Sequence, residues 1–326
     1  MKAWHLTLLS VLALLLWSCR EGTAEASLRI QHPDDSAKEV EYFLERPSGN
    51  APWPTVILLH GHQEWLKPGG KDFVDWGVLK QLAGRGYLAV AVSQPGYGKS
   101  TGPADFSGVF TQHAVTAVAA KLRAEGLALP GKLLIQGISR GALTAGLVAA
   151  QDPSVSGVIL VSGVYDLPSY VADSTASGIK KAIVASMMSE SGGTAEALHA
   201  RSILRRAGDI KAYVLILNGA KDDRTDPTQA RVLADAITRA GGHARAIIYP
   251  DAGHRIPVEL RNKDIDPFIE KVLGASSRKE RPGDAFHSEG PRIAQPAGER
   301  ERRTSSIRNW RHPGRHSPRQ RKNAET

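Results

Sequence analysis

Short apolar runs without alternation recur along the chain: Thr55–Leu59 (TVILL), Tyr87–Val92 (YLAVAV), Leu133–Ile135, Val158–Val161, Val214–Leu217 and Ala246–Tyr249. A run of this length, apolar at every position, suits a strand covered on both faces. Between the runs the apolar residues take a helical period, at Phe73–Ala83, Val109–Ala124, Ala142–Ala150, Pro227–Arg239 and Ile265–Val272. Two further extended stretches, Ser27–Gln31 and Val40–Glu45, come first, and Pro47, Pro52 and Pro54 separate them from the first buried run. Such alternation predicts an α/β fold: a mostly parallel, doubly wound sheet with right-handed crossovers and helices on both faces. The stretch from Gly163 to Asp209 is longer than a crossover needs and predicts a small helical insertion over one end of the sheet, like a lid.

Both ends leave this pattern. Lys2 is followed by an apolar run from Leu6 to Trp17 that is too short for a spanning helix, which needs about 20 residues. It suits the apolar region of an export signal. Leu16-Trp17-Ser18-Cys19 resembles the end of a bacterial lipoprotein signal, although Trp17 stands where that pattern has a small residue. The resemblance implies lipidation of Cys19 and, with Arg20 following, attachment to a lipid membrane at the outer membrane. A plain secreted or periplasmic protein is the alternative. From Ala275 onward no apolar period survives, and Arg, Pro, Ser, Gly and His dominate. That composition predicts a basic disordered tail. The expected organisation is a signal over 1–19, a folded domain over 20–274 with its insertion at 163–209, and the tail over 275–326.

Composition narrows the function classes. The 326 residues are 41% hydrophobic and 23% charged, which is ordinary globular usage. The formal charge is +9, but 13 Lys/Arg against 6 Asp/Glu in residues 275–326 place +7 of it in the tail. The folded part is nearly neutral, so nucleic acid is not an expected partner. A single cysteine, Cys19, excludes an internal disulfide framework and a cysteine-based metal cluster.

In a sheet of this kind, function sits at the carboxyl ends of the strands. After Leu133–Ile135 comes Gly137-Ile138-Ser139-Arg140-Gly141, directly before a helical stretch. This Gly-x-Ser-x-Gly lies in the strand–turn–helix context of a nucleophile elbow, where a tight turn aims the serine hydroxyl out over the sheet. A serine nucleophile needs a base, and the base needs an orienting acid. Asp222 and Asp223 follow the Val214–Leu217 run, and His254 follows the Ala246–Tyr249 run. The candidates stand at three strand ends in the order Ser, acid, His.

The Thr55–Leu59 run ends in His60-Gly61-His62, and the loop there is expected to supply a backbone donor, the His62 N–H. With the Arg140 N–H it would form an oxyanion hole. His60 and His62 also read as a metal pair, but the further ligands such a site needs at other strand ends are already committed to the triad. No metal or cofactor is therefore expected. Ser93–Thr101 looks like a phosphate-binding loop ending in Gly98-Lys99-Ser100, but Ser93 replaces its first glycine and Gly102-Pro103 stands where the capping helix would begin. It is expected to border the site.

Over roughly Glu39–Leu273 these residues resemble the α/β-hydrolase superfamily. Asp222-Asp223-Arg224 with Pro227, and Ala252-Gly253-His254, resemble the dienelactone-hydrolase-like and prolyl-oligopeptidase-like branches. Thr225-Asp226 departs from the pattern, where an aliphatic residue is usual. The resemblance implies Asp222 as the triad acid and matches Arg224 to a substrate-contacting arginine of the peptidase branch, with a surface salt bridge as its alternative role. Ser139 replaces the cysteine of dienelactone hydrolase itself. About 20 residues separate Cys19 from Glu39, where the resemblance begins, too few for the propeller of large oligopeptidases. The expected activity is hydrolysis of a small acyl substrate through an acyl-enzyme, with carboxylic esters first and peptides or amides second. A non-catalytic, lipid-anchored binding protein is the alternative from another class.

Overall fold

A computed structural model describes residues 27–64, 66–173 and 178–274. Cys19 with its expected signal, and the basic tail, lie outside the described residues. Eight strands form one sheet: β1 (Leu28–His32), β2 (Asp35–Glu45), β3 (Trp53–Leu59), β4 (Leu88–Val92), β5 (Ala128–Ile138), β6 (Val155–Val161), β7 (Tyr213–Gly219) and β8 (His243–Tyr249). Their order is β1-β2-β4-β3-β5-β6-β7-β8. The pairings β1–β2 and β2–β4 are antiparallel, and every pairing from β4 through β3 to β8 is parallel. This is the mostly parallel α/β sheet that the strand–helix alternation predicts, in the α/β-hydrolase arrangement that the resemblance implies.

Each apolar run turns out to be two interleaved sets. Ile57, Leu59, Val90, Ile135, Leu160 and Ile216 pack on one side, against α3 (Val109–Ala124), α4 (Arg140–Ala149) and α8 (Pro227–Arg239). Val56, Leu58, Ala91, Leu134, Ile159 and Leu217 pack on the other, against α1 (Lys71–Asp75), α2 (Val78–Gly84) and α9 (Val258–Leu273). Full burial of each Leu, Ile or Val stabilises the fold by about 1.5–3 kcal/mol relative to exposure, so the central strands are fastened from both faces.

The stretch Phe73–Ala83, expected as one helix, belongs to two, because Gly77 at φ 71° turns the chain between α1 and α2. The last helix starts at Val258 rather than Ile265, since its first turns are polar (Glu259, Arg261, Asn262, Lys263) and carry no apolar period to read. Between β6 and β7 lie α5 (Leu167–Ala172), α6 (Gly178–Ser191), α7 (Ala195–Ala200) and a 3-10 turn at Ile203–Asp209. The Gln229 carboxamide oxygen on α8 accepts from the Tyr165 and Asp166 N–H groups at 2.8 and 3.0 Å, tethering the start of this helical segment.

Candidate active site

Ser139 lies between β5 and α4 with φ 55° and ψ −117°, a conformation that costs a non-glycine residue free energy and persists only where its surroundings over-determine it. The surroundings are glycines. A side chain at Gly137 would run into the Gly141 backbone, and one at Gly141 would run into the backbone of Leu59 and His60 at the end of β3. A Cβ at Gly61 would lie 3.2 Å from the Ser139 Cβ, so the chain after β3 passes directly against the nucleophile. The ladder continues beyond the strands: Ser139 N–H donates to Val161 O at 2.7 Å and Ser162 N–H to Leu217 O at 2.8 Å. Ser139, Ser162 and Asn218 thus stand in one rank at the carboxyl edge.

The loops after β7 and β8 are zipped together by Ala220 N–H to Tyr249 O (2.8 Å) and Lys221 N–H to Ala252 O (2.9 Å). Gly219 permits this, because a Cβ there would strike the carbonyls of Ala252 and Gly253. The zipper brings His254 to Asp222, with Nδ1 at 3.0 and 3.1 Å from the two carboxylate oxygens. A carboxylate only accepts, so Nδ1 carries the proton and Nε2 is left as the basic nitrogen. Asp222 also accepts from the Arg224 N–H (2.9 Å), the Thr225 N–H (3.0 Å) and the Thr225 hydroxyl (2.7 Å). Burial alone would raise the Asp222 carboxyl, but His254 and the Thr225 donors outweigh it and hold it below its ordinary value. Asp223 is exposed in the same turn. Of the two aspartates, Asp222 is the one the structure brings to the histidine.

His60 and His62 divide their duties. His60 is buried, with Nδ1 2.8 Å from Gly61 O and Nε2 accepting from the Gln94 N–H at 3.1 Å. Burial pushes it down to about 4, so it stays neutral, and both ring nitrogens are engaged inside the protein. That leaves no nitrogen free for a metal without breaking the β3–β4 connection. The Gln94 amide also donates to His60 O and accepts from the Thr144 hydroxyl on α4, which ties the loop after β3 to the elbow helix. His62 is more exposed, and its Nδ1 lies 3.0 Å from the Tyr97 hydroxyl.

The Arg140 side chain was not singled out by any motif. It is buried between the rings of Tyr97 (5.4 Å) and Phe106 (4.9 Å), with Nη1 3.2 Å from the Tyr97 hydroxyl. Its counter-ion is Glu190 at the end of α6, at 2.6 Å. Glu190 also accepts from the Phe106 N–H and the Ser186 hydroxyl. Burial would raise its carboxyl, but the arginine and these donors hold it below the usual range. The inserted helix α6 is therefore clamped to the residue after the nucleophile. Sequence patterns read Arg140 only for its backbone N–H, because no local spacing links it to Glu190.

The loop that looks like a phosphate cradle holds a carboxylate of the protein itself. Glu41 of β2 is buried and accepts from the Ser93 hydroxyl at 2.8 Å and the Lys99 N–H at 2.9 Å. A Cβ at Gly98 would collide with that carboxylate. The glycine signal was real, but its anion comes from β2.

The fold is that of the α/β-hydrolase class, and its carboxyl edge carries a serine elbow and an Asp222–His254 pair. Residues 104–275 match the model of the prolyl oligopeptidase family, a span that contains Ser139, Asp222 and His254. The chain belongs to that family. It is 29% identical over 264 residues to dipeptidyl aminopeptidase BIII of Pseudoxanthomonas mexicana, covering 76% of this chain and 37% of that one. Among solved structures it is similar to an acylaminoacyl peptidase of Pyrococcus horikoshii, with TM-score 0.62 and 19% identity over 77% of this chain and 42% of that one. The esterase Pf2001 of Pyrococcus furiosus gives TM-score 0.59 and 17% identity over 76% of this chain and 91% of the esterase. The chain spans well under half the length of the curated relatives it matches.

Proposed function

We propose that this chain is a serine peptidase, cleaving peptide or amide bonds through an acyl-enzyme on Ser139. The observation that carries the reading is the family match, whose span contains the elbow, the acid and the histidine. It reverses the order expected from sequence, where ester hydrolysis stood first. In the proposed mechanism Ser139 Oγ attacks the scissile carbonyl while its proton passes to His254 Nε2. Asp222, facing Nδ1, fixes the tautomer and stabilises the imidazolium. The backbone N–H groups of His62 and Arg140 would hold the oxyanion, each worth roughly 3–4 kcal/mol in the transition state. His254 returns the proton to the leaving amine, then activates the water that releases the acyl group and regenerates Ser139. Arg224 would contact the substrate, a role that rests on the family resemblance alone. Carboxylic ester hydrolysis is the second reading, favoured by the similarity to the Pyrococcus furiosus esterase over most of that protein's length.

The test is fluorophosphonate labelling of the purified protein beside Ser139→Ala, with matched aminoacyl amides and esters as substrates. Labelling confined to wild type, with amides turned over, is expected. Turnover of esters without amides would move the esterase reading to first place. Absent labelling and turnover would favour a non-catalytic binding protein. On residues 1–19 alone we further propose export and lipid attachment at Cys19. Radiolabelled palmitate should be incorporated, and a label that persists in Cys19→Ala would sink that proposal.

A further inference from the structure

We propose that Thr225 is a positioning residue of the triad, its hydroxyl proton directed onto Asp222 by Asn218; this rests on the serine-hydrolase reading above. Three buried side chains make the chain of bonds. Asn218, fully buried at the end of β7, donates from Nδ2 to the Thr225 hydroxyl oxygen at 3.2 Å. Thr225, at 4% exposure, donates to Asp222 Oδ2 at 2.7 Å. The direction of each bond follows from the end of the chain. An ionised carboxylate has no proton to give, so the proton in the Thr225–Asp222 bond is threonine's. The hydroxyl has one proton, so toward Asn218 it can only accept, and the amide must present its nitrogen. The whole chain is polarised from β7 toward His254.

This explains what the departure from the usual aliphatic residue does. An aliphatic side chain at 225 could pack equally well but would give Asp222 one donor fewer and strand the Asn218 amide. With threonine, the Thr225 N–H holds Oδ1, its hydroxyl holds Oδ2, and the Arg224 N–H holds Oδ1 again. Both carboxylate oxygens are thus held by donors other than the imidazole. Asn218 supports the arrangement from the rank that also holds Ser139, so acid and nucleophile are referenced to the same sheet edge.

The titratable groups facing Asp222 are His254, from the loop after β8, and the phenols of Tyr165 and Tyr170, from the segment after β6. Burial raises both phenols well above their ordinary value, so they stay neutral throughout an activity profile. A donor on Asp222 shares its negative charge, so removing it strengthens the field at the imidazole.

The experiment compares wild type, Thr225→Val and Thr225→Ser by fluorophosphonate labelling, by melting temperature, and by the pH profile of kcat/KM on an amide substrate. The valine variant should lose about tenfold in kcat as the carboxylate plane loosens. Its acid limb should move upward by about half a pH unit. The serine variant, which keeps the hydroxyl, should return both toward wild type. Valine with an unmoved acid limb, or serine no better than valine, would overturn the inference and leave Thr225 a packing residue. If valine fails to fold, the same comparison is read from serine against Thr225→Ala. Wild-type labelling that survives Ser139→Ala would instead remove the triad reading itself, a different failure from either of these.

Discussion

Two carboxylates in this molecule are held in nearly the same way and do different things. Glu41 is buried and accepts a backbone N–H and a serine hydroxyl from the loop after β4. Asp222 is buried and accepts backbone N–H groups and a threonine hydroxyl from the loop after β7. What separates them is the last partner. Asp222 also faces His254, whose imidazole can pass a proton between its partners, whereas the donors around Glu41 are a serine hydroxyl and a backbone N–H. An anion nest by itself is structural, and it becomes part of a proposed active site only where one of its donors can hand a proton onward.

Exchanging charge for shape should separate the two most clearly. Asp222→Asn leaves the side chain's outline but offers an amide where His254 Nδ1–H needs an acceptor. The tautomer is lost, and kcat should fall about 10⁴-fold, with fluorophosphonate labelling slowed in parallel. Asp223→Asn, one residue on and exposed, should leave the rate within a factor of a few. Equal losses at the two positions would end the assignment of the acid.

At Glu41 the same exchange should move stability and spare chemistry. Glu41→Gln removes a buried charge from two hydrogen-bond donors, and a loss of about 3 kcal/mol in chemical denaturation is expected. Active-site labelling of the folded fraction should be unchanged. A variant that melts normally but no longer labels would mean that the Glu41 loop takes part in the reaction, contrary to the comparison.

How much of this was legible beforehand follows the range of the interactions. Ser139, Asp222 and His254 are read from local patterns, because each stands just past an apolar run and a sheet of this type must bring such ends together. The fold was legible for the same reason, and the misjudged start of α9 fell where polar residues erase the period. Thr225 was visible only as a departure from a family pattern, with nothing in the sequence to say that its hydroxyl reaches Asp222. Glu41 and Lys99 are 58 positions apart, and Arg140 and Glu190 pair across an inserted segment, so no spacing rule joins them. The phosphate-loop resemblance shows the same limit from the other side: glycines announce that an anion is close, but not whose anion it is.

His60 offers a test through pH. Its folded value is depressed to about 4, from an ordinary value of 6.5, by burial. A depressed group favours the folded state above its unfolded value and loses that contribution as pH falls through the folded one. The fold should therefore weaken between about pH 6.5 and pH 4, by up to about 3 kcal/mol from this residue. Melting curves of wild type and His60→Gln across that window should converge at the acid end. Parallel curves would mean that another group is responsible.

The smallest effect is expected at another carboxylate, the half-buried Glu190, which combines the two cases. Like Glu41 it accepts a backbone N–H and a hydroxyl; like Asp222 it faces an ionisable side chain, but that partner is an arginine, which keeps its proton. On this reasoning Glu190 belongs with Glu41. Glu190→Gln keeps the acceptor for Phe106 but leaves Arg140 buried without a counter-ion, at a cost of about 2 kcal/mol. The Arg140 N–H at the proposed oxyanion position belongs to the backbone and survives the change, so labelling of Ser139 should persist. The double variant Arg140→Met with Glu190→Met removes both charges together and should cost less than the two single changes summed. Additive losses would show that the ion pair does not couple α6 to the elbow, and that the inserted helix is held by its apolar contacts alone.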